Sequence, residues 1–335
     1  MKALITTPKG GRGSTFWSKE NIELVKSLGE VIWHEGDEPM KKEQVLELIG
    51  DCDVYVTLWQ SPRLDKDVLE KGKNIKLLTH LAGTVVPFVS DEMWDRGIRV
   101  LSGNSYFARS VAEGTVGYML AALRRIPFYN KRLTEKKQWK SPADWNEGIH
   151  GKTIGLISYG EIARFLVPLL HPFGVKLKVY DIVPLPEEDV KKYGLEQATL
   201  EDIFSTCDIV SLHTPLYEAT RHMIDARLLS MIKDGALFIN TSRGAVVDQK
   251  ALEAELAKNR FRAVLDVYEV EPLPADNPLY DMENVLLMPH MGGPTYDLHA
   301  LITRELLIES KNYIDNGGAL VHELTRERAE HMSLS

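Results

Sequence analysis

Short apolar runs alternate with longer stretches of helical period along the whole chain. Runs at residues 3–6, 30–33, 54–58 and 77–81 read as strands, and residues 18–28 and 42–49 between them carry the spacing of amphipathic helices. A segment at 100–105 leads into a predicted helix over 110–126, apolar at Val111, Val116, Met119, Leu120 and Leu123. Glu113 lies in its first turn and Arg124 and Arg125 in its last, as the helix dipole favours. A polar, Trp-containing stretch, 136–151, follows. The rhythm then restarts, with runs at 153–157, 176–180, 209–212, 237–240, 262–267 and 285–288 reading as six buried strands. Six strands joined by helices and loops complete a dinucleotide-binding sheet of two mononucleotide halves. A last helix is expected over 296–316, and the polar tail after Glu323 is expected to fray. Strands alternating with helices in this way predict an α/β protein built on parallel sheets.

The length of 335 residues suggests two domains. A formal net charge of −8 without a Lys/Arg-rich block argues against a nucleic-acid partner. Neither Cys52 nor Cys207 has metal-ligand or CxxC spacing, so a metal site or disulfide framework is not expected, and both read as buried reduced thiols. The N-terminus lacks the apolar core of a signal peptide, and no run approaches the roughly 20 apolar residues of a membrane span. A cytoplasmic protein with no membrane partner is the expectation.

Between the run at 153–157 and an apolar helix lies Ser158-Tyr159-Gly160-Glu161-Ile162-Ala163. This is a dinucleotide-binding turn with Ser158 in place of the first glycine and Ala163 in place of the third; the central Gly160 lets the backbone approach a pyrophosphate. Ser158 either strains the turn or offers a hydroxyl to a phosphate. Asp181 ends the next strand, where an acid meets the adenosine ribose hydroxyls. No Arg follows it, which favours NAD over NADP. Three further strand ends carry polar clusters, Asn240-Thr241-Ser242-Arg243-Gly244, Asp266-Val267-Tyr268-Glu269-Val270-Glu271-Pro272 and Met288-Pro289-His290-Met291-Gly292-Gly293. Each has a plain alternative taken singly: Asp181 as a turn acid, Arg243 as a solvated cation before the helix cap Asp248, Glu271 as a loop charge, His290 as a structural histidine. An Arg, a Glu and a His on one edge of a nucleotide fold is harder to reach by accident.

At these residues the chain resembles the D-isomer-specific 2-hydroxyacid dehydrogenases, which include D-lactate, glyoxylate-reducing and phosphoglycerate dehydrogenases. The matching pieces are Val111-Ala112-Glu113, Gly151-Lys152-Thr153-Ile154-Gly155, the run from Cys207 to Leu216, and the clusters beginning at Asn240, Asp266 and Pro289. They fall in the family's order and cover nearly all of residues 111–293. The resemblance implies a catalytic trio of Arg243, Glu271 and His290. Arg243 would hold the substrate carboxylate and neighbouring carbonyl with its planar fork of donors. His290 would exchange the proton, and Glu271 would favour the imidazolium. It also implies an NAD(H) site drawing on Ser158, Tyr159, Gly160, Glu161, Ile162, Asp181, His213, Thr214, Pro215, Thr241, Ser242, Arg243, Asp266, His290 and Gly292, with Asp266 facing the nicotinamide amide.

The domains implied are a Rossmann-type NAD-binding domain at 103–295, inserted into a discontinuous, flavodoxin-like substrate domain at 1–102 and 296–335. A homodimer is implied too. The substrate half departs from the family's pattern. It reads Leu81-Ala82-Gly83-Thr84-Val85-Val86-Pro87-Phe88 where acidic residues are usual, and Asn104-Ser105-Tyr106-Phe107 in place of a compact turn. Ala82 and Gly83 are still expected to offer backbone N–H groups to the carboxylate. Trp59 and Tyr106 either shape the pocket or pack on the surface. No basic cluster marks a phosphate pocket. The competing readings are another oxidoreductase of this fold, such as a formate dehydrogenase, and an NAD(H)-sensing binding protein of the corepressor type. The first usually has Gln in place of Glu271; the second works through flanking disordered regions that this sequence scarcely has.

Overall fold

The computed structural model describes residues 1–34 and 36–333. They form two compact units, Met1–Phe107 with Pro294–Ser335, and Ala108–Gly293. In the first, strands β1 (Lys2–Ile5), β2 (Glu30–Trp33), β3 (Val54–Thr57), β4 (Leu77–His80) and β5 (Arg99–Ser102) pair in parallel in the order β2-β1-β3-β4-β5, the flavodoxin-like order. The inner strands β3 and β4 are buried at every position, which is why they read as unbroken apolar runs. Helix Lys19–Ser27 is capped by the Ser18 hydroxyl, and helix Tyr296–Asn316 buries Ile302, Leu306 and Leu307 in the same core.

The second unit holds β6 (Thr153–Ile157), β7 (Lys176–Tyr180), β8 (Leu195–Gln197), β9 (Ile209–Leu212), β10 (Leu237–Asn240), β11 (Arg262–Leu265) and β12 (Val285–Leu287). Their order is β12-β11-β10-β9-β6-β7-β8, all parallel. Counted within the unit this is 3-2-1-4-5-6-7, the doubly wound dinucleotide-binding order with one strand added. The expected count of six strands is corrected to seven. The missed strand, β8, is a three-residue edge strand with only Leu195 buried, so it carries too little pattern to register. The strand order reverses between β6 and β9, and the loops at that switch point leave from adjacent carboxyl ends.

Three other expectations change. The helix predicted over 110–126 starts earlier, at Asn104–Leu123, and a second helix, Ile126–Lys136, follows with no buried residue. The units divide at 107/108 and 293/294 because the first turn of helix Asn104–Leu123 packs on the first unit, with Phe107 against Gly83 and Tyr106 stacked on His322. The tail is not frayed across its length: Leu324 donates its N–H to Val100, Glu323 pairs with Arg99, and helix Arg326–Glu330 buries Ala329.

The backbone after β10 lies directly on the backbone after β11. A Cβ built on Gly244 would stand 1.9 Å from the Tyr268 carbonyl carbon and 2.4 Å from the Glu269 nitrogen. Gly244→Ala must therefore push two backbones apart. We expect it to lower stability by about 1–3 kcal/mol and to abolish activity, read by thermal melting and by turnover. A variant that melts and turns over like the wild type would show that the loops are not locked together.

His80, at the end of β4, is 1% exposed, bonded through Nδ1 to the Thr57 hydroxyl at 3.0 Å and stacked on Phe88 at 4.4 Å. Burial draws its pKa down to about 3 from 6.5. The unfolded chain therefore takes up a proton below pH 6.5 that the folded chain refuses, so stability is full above that pH and falls as acid is added. Between pH 7 and 5 this one group should cost about 2 kcal/mol. In urea titrations, His80→Asn should remove that part of the acid sensitivity; an unchanged pH slope would place the sensitivity elsewhere.

Candidate active site

All the second unit's strands run the same way, so the loops at their carboxyl ends share one edge of the sheet. The turn after β6 comes first. Ser158 takes a left-handed φ of 78°, its N–H donates to the Tyr180 carbonyl at 2.8 Å, and its hydroxyl meets that of Thr214 at 2.9 Å. Gly160 is the N-cap of helix Glu161–Leu170 and, having no side chain, provides no side-chain cap to the first turn that begins at Glu161 and Ile162. A Cβ on Gly160 would meet no atom within 4 Å. The Tyr159 side chain is buried with Arg164 over its ring, so this residue reaches the turn through its backbone.

Asp181 ends β7 and bonds back to the turn. Its Oδ2 accepts from the Tyr159 N–H at 2.6 Å and its Oδ1 from the Val183 N–H at 3.0 Å. Each carboxylate oxygen keeps a lone pair for a further donor. Ile182 and Val183 beside it are exposed at 79% and 58%, apolar where a 2′-phosphate would call for a cation.

After β9, His213 is 6% exposed, and burial lowers its pKa to about 4. Its Nε2 bonds to the Ser211 hydroxyl, whereas its buried Nδ1 has no hydrogen-bond partner among the described residues. Thr214 is buried and Pro215 half-buried next to it. A helix start whose N-cap is a glycine, open space at that glycine and an orphaned imidazole nitrogen beside the switch point together suit a diphosphate-linked dinucleotide. The residues fit the cofactor that the fold implies.

The trio comes together at the other end of the edge. Nδ1 of His290 lies 2.7 Å from Oε2 of Glu271, and Oε1 of Glu271 accepts the Tyr268 N–H at 3.0 Å. The carboxylate is thus fixed on both oxygens, and the far nitrogen of the half-exposed His290 ring is turned away from Glu271. Arg243 is largely buried; burial lowers its pKa, and the nearby charge of Glu271 opposes that shift. Its guanidinium also donates to the Ser242 carbonyl at 2.9 Å.

Other predicted residues serve the scaffold. Ser242 bonds through both N–H and hydroxyl to the Asn240 side chain, and the Thr241 hydroxyl meets that of Thr115 at 3.2 Å. The Asp266 carboxylate accepts the N–H groups of Met291 and Gly292 at 2.7 and 2.8 Å, which curls the chain after His290, itself left-handed with a φ of 55°. Tyr118 reaches the same carboxylate at 3.5 Å, and burial pushes its pKa up to about 12. Sequence reasoning missed Thr115 and Tyr118, which lie on a helix whose apolar face alone was read. It also missed a second imidazole–carboxylate pair, His222 with Glu269 at 2.8 Å.

In the first unit, the carbonyls of Ala82 and Gly83 both accept from the Ser102 hydroxyl, at 3.1 and 2.7 Å. A planar trans peptide then sends the next N–H groups the opposite way. Trp59 is 43% exposed beside Phe16. Tyr106 does not join these residues; its ring stacks on His322 at 4.9 Å, and its neighbour Phe107 stands beside Gly83 instead.

Comparison with known proteins identifies the family. The family model for the D-isomer specific 2-hydroxyacid dehydrogenase, NAD binding domain, matches residues 116–292. A hydroxypyruvate reductase of Thermotoga maritima is 34% identical over 293 residues, 86% of this chain and 93% of its own length. A D-3-phosphoglycerate dehydrogenase of Methanocaldococcus jannaschii is 33% identical over 88% of this chain, which spans 54% of that longer protein. The solved structure of D-lactate dehydrogenase with NAD+ from Lactobacillus jensenii superposes with a TM-score of 0.77 at 26% identity, covering 97% of this chain and all of the other. Seven parallel strands in dinucleotide-binding order, a phosphate turn answered by Asp181 and these matches lead to one conclusion: the chain belongs to the D-isomer specific 2-hydroxyacid dehydrogenase family of NAD-dependent oxidoreductases.

Proposed function

We propose that this protein reduces a 2-keto acid to the D-2-hydroxy acid, preferring NADH to NADPH, with Arg243, Glu271 and His290 as its catalytic residues. The observation that carries the reading is the 2.7 Å contact between His290 Nδ1 and Glu271 Oε2, with Arg243 on the neighbouring loop within the influence of the Glu271 charge. The bound nicotinamide supplies the hydride. Glu271 orients the imidazole and stabilises its positive charge, so that Nε2 gives its proton to the carbonyl oxygen as negative charge develops there. Arg243 holds the carboxylate and the carbonyl oxygen with its fork of N–H donors, and its burial strengthens both contacts. In the oxidative direction the neutral ring takes the proton back.

The first unit is the proposed substrate domain, its Ala82–Gly83 segment offering N–H groups to the carboxylate. The second is the NAD domain. Its turn of Ser158, Tyr159, Gly160, Glu161 and Ile162 cradles the pyrophosphate, and Asp181 takes the ribose hydroxyls. His213, Thr214 and Pro215, with Thr241 and Ser242, support the dinucleotide from below, and Asp266 and Gly292 border the nicotinamide. Preference for NAD rests on Asp181 and its apolar neighbours Ile182 and Val183, which offer a 2′-phosphate no counter-charge. Both cysteines are free, buried and held protonated, their pKa values raised to about 11 by burial, which suits a reducing cytoplasm. A homodimer is the proposed assembly.

The test is NADH oxidation with graded 2-keto acids, run beside NADPH; no turnover with any of them would overturn the reading. His290→Ala should lower kcat/KM by about a thousandfold while leaving NADH affinity within about twofold. Equal loss of NADH binding would make His290 structural. Asp181→Asn should narrow the NADH/NADPH preference by about tenfold, roughly the worth of one charge-assisted hydrogen bond. An unchanged ratio would remove Asp181 from cofactor selection.

A further inference from the structure

The carboxyl edge of the first unit's sheet carries a row of rings drawn from four separate segments. It begins at Gly83, where the Phe107 ring lies 3.5 Å from the position a Cβ would take. Phe107 faces His299 nearly parallel, with centroids 6.4 Å apart and planes at 22°. His299 stacks on Phe16 at 4.1 Å and 11°, and Trp59 closes edge-on against both, at 5.5 Å from Phe16 and 6.2 Å from His299. Tyr296, one turn before His299 on the same helix, lies 5.9 Å from it.

The row has a floor and a rim. Phe16 is fully buried and His299 is 5% exposed, whereas Trp59 and Tyr296 are open at 43% and 68%. The floor is held rigid. Thr15 bonds to His299 Nδ1 at 2.8 Å, and the Asn21 amide donates to the carbonyls of both Phe16 and Ala300 at 2.8 Å, tying the Phe16 loop to helix Tyr296–Asn316. Burial lowers the His299 pKa, so the floor is uncharged at neutral pH. Two large aromatic side chains left exposed on such a floor, at a ligand-binding sheet edge, are costly to keep in water unless something covers them.

We propose that this row is the specificity wall for the substrate side chain, and that the preferred substrate is an aryl-substituted 2-keto acid of the phenylpyruvate type. The inference rests on the reductase reading above and on the Gly83 segment holding the carboxylate. A carboxylate bound there places the side chain over Phe107, and the row continues away from it for four more rings. A planar ring stacks on Phe107 and meets Trp59 and Tyr296 at the rim, in the offset and edge-on geometries that aromatic pairs favour. Glyoxylate has no side chain to place there, and among the described residues the row presents uncharged rings to a second anionic group.

The test is kcat/KM with NADH for phenylpyruvate, pyruvate and glyoxylate on the full chain. Phenylpyruvate should lead glyoxylate by at least about tenfold, the scale expected from burying one ring. Trp59→Ala should reduce the phenylpyruvate-to-glyoxylate ratio about tenfold, mainly through KM. Tyr296→Ala, at a still more exposed rim position, should lower the same ratio severalfold and guards against a folding defect in the first variant. Glyoxylate or pyruvate outrunning phenylpyruvate, or a ratio unmoved in both variants, would overturn the aryl preference and leave the reductase reading intact. Silence with every keto acid, with NADH still bound, would overturn the reductase reading and this inference with it.

Discussion

The arrangement of Arg243, Glu271 and His290 depends on one close approach of backbone to backbone, Gly244 on Tyr268 and Glu269. Because no side chain fits between them, the loop after β10 is laid onto the loop after β11 with almost no freedom. Arg243 is thereby delivered beside the segment that carries Glu271. The Tyr268 N–H then fixes one oxygen of Glu271, and the other oxygen fixes His290. On the far side, Asp266 gathers the N–H groups of Met291 and Gly292 and so sets the loop from which His290 projects. The trio is placed by backbone contacts and carboxylate–amide bonds more than by rotamer choice. Charge-assisted bonds of this kind are worth roughly twice a neutral hydrogen bond, so the arrangement is stiff before any ligand arrives.

The NAD-binding unit was more legible in the sequence than the unit proposed to recognise substrate, and the reason is physical. Proton transfer and carboxylate binding need a few polar residue types at strand ends, and an Arg, a Glu and a His after buried runs stand out against the apolar background. The aromatic row has no such contrast. Phe16 and His299 lie far from Phe107 in the chain and carry no motif; only the fold shows that the three rings stack. Tyr106 and Phe107 illustrate the limit. Successive helical residues point about 100° apart, so which of two neighbouring aromatics faces Gly83 depends on the helix phase, and the pattern placed the helix start at 110 instead of Asn104.

The same contrast explains the elements that were missed. Strand β8 buries one residue and helix Ile126–Lys136 buries none, so neither contributes a periodic apolar stripe. The tail docks through the Glu323 ion pair with Arg99, the Glu323 bridge to Leu101 and the scattered apolar contacts of Leu324, Ala329 and Met332, too few to set up a period. Hydrophobic periodicity detects elements that build a core and passes over those that cover an edge.

Ser158 shows how a departure from a motif is absorbed. A left-handed backbone at a residue with a Cβ costs about 1–2 kcal/mol relative to glycine. Here the turn is determined from three sides: the Ser158 N–H is spent on Tyr180, its hydroxyl is bonded to Thr214, and the next N–H is held by the Asp181 carboxylate at 2.6 Å. Those bonds hold the strained backbone in place, and they knit the ends of β6, β7 and β9 into one rim at the switch point. Asp181 therefore shapes the turn itself, in addition to the ribose contact proposed for it. The position where a side chain would collide with a phosphate is the next but one, and there the chain keeps Gly160 with open space before it. Losing the first glycine of the motif strains a turn that its neighbours can hold, whereas losing the second would fill the space that the pyrophosphate needs.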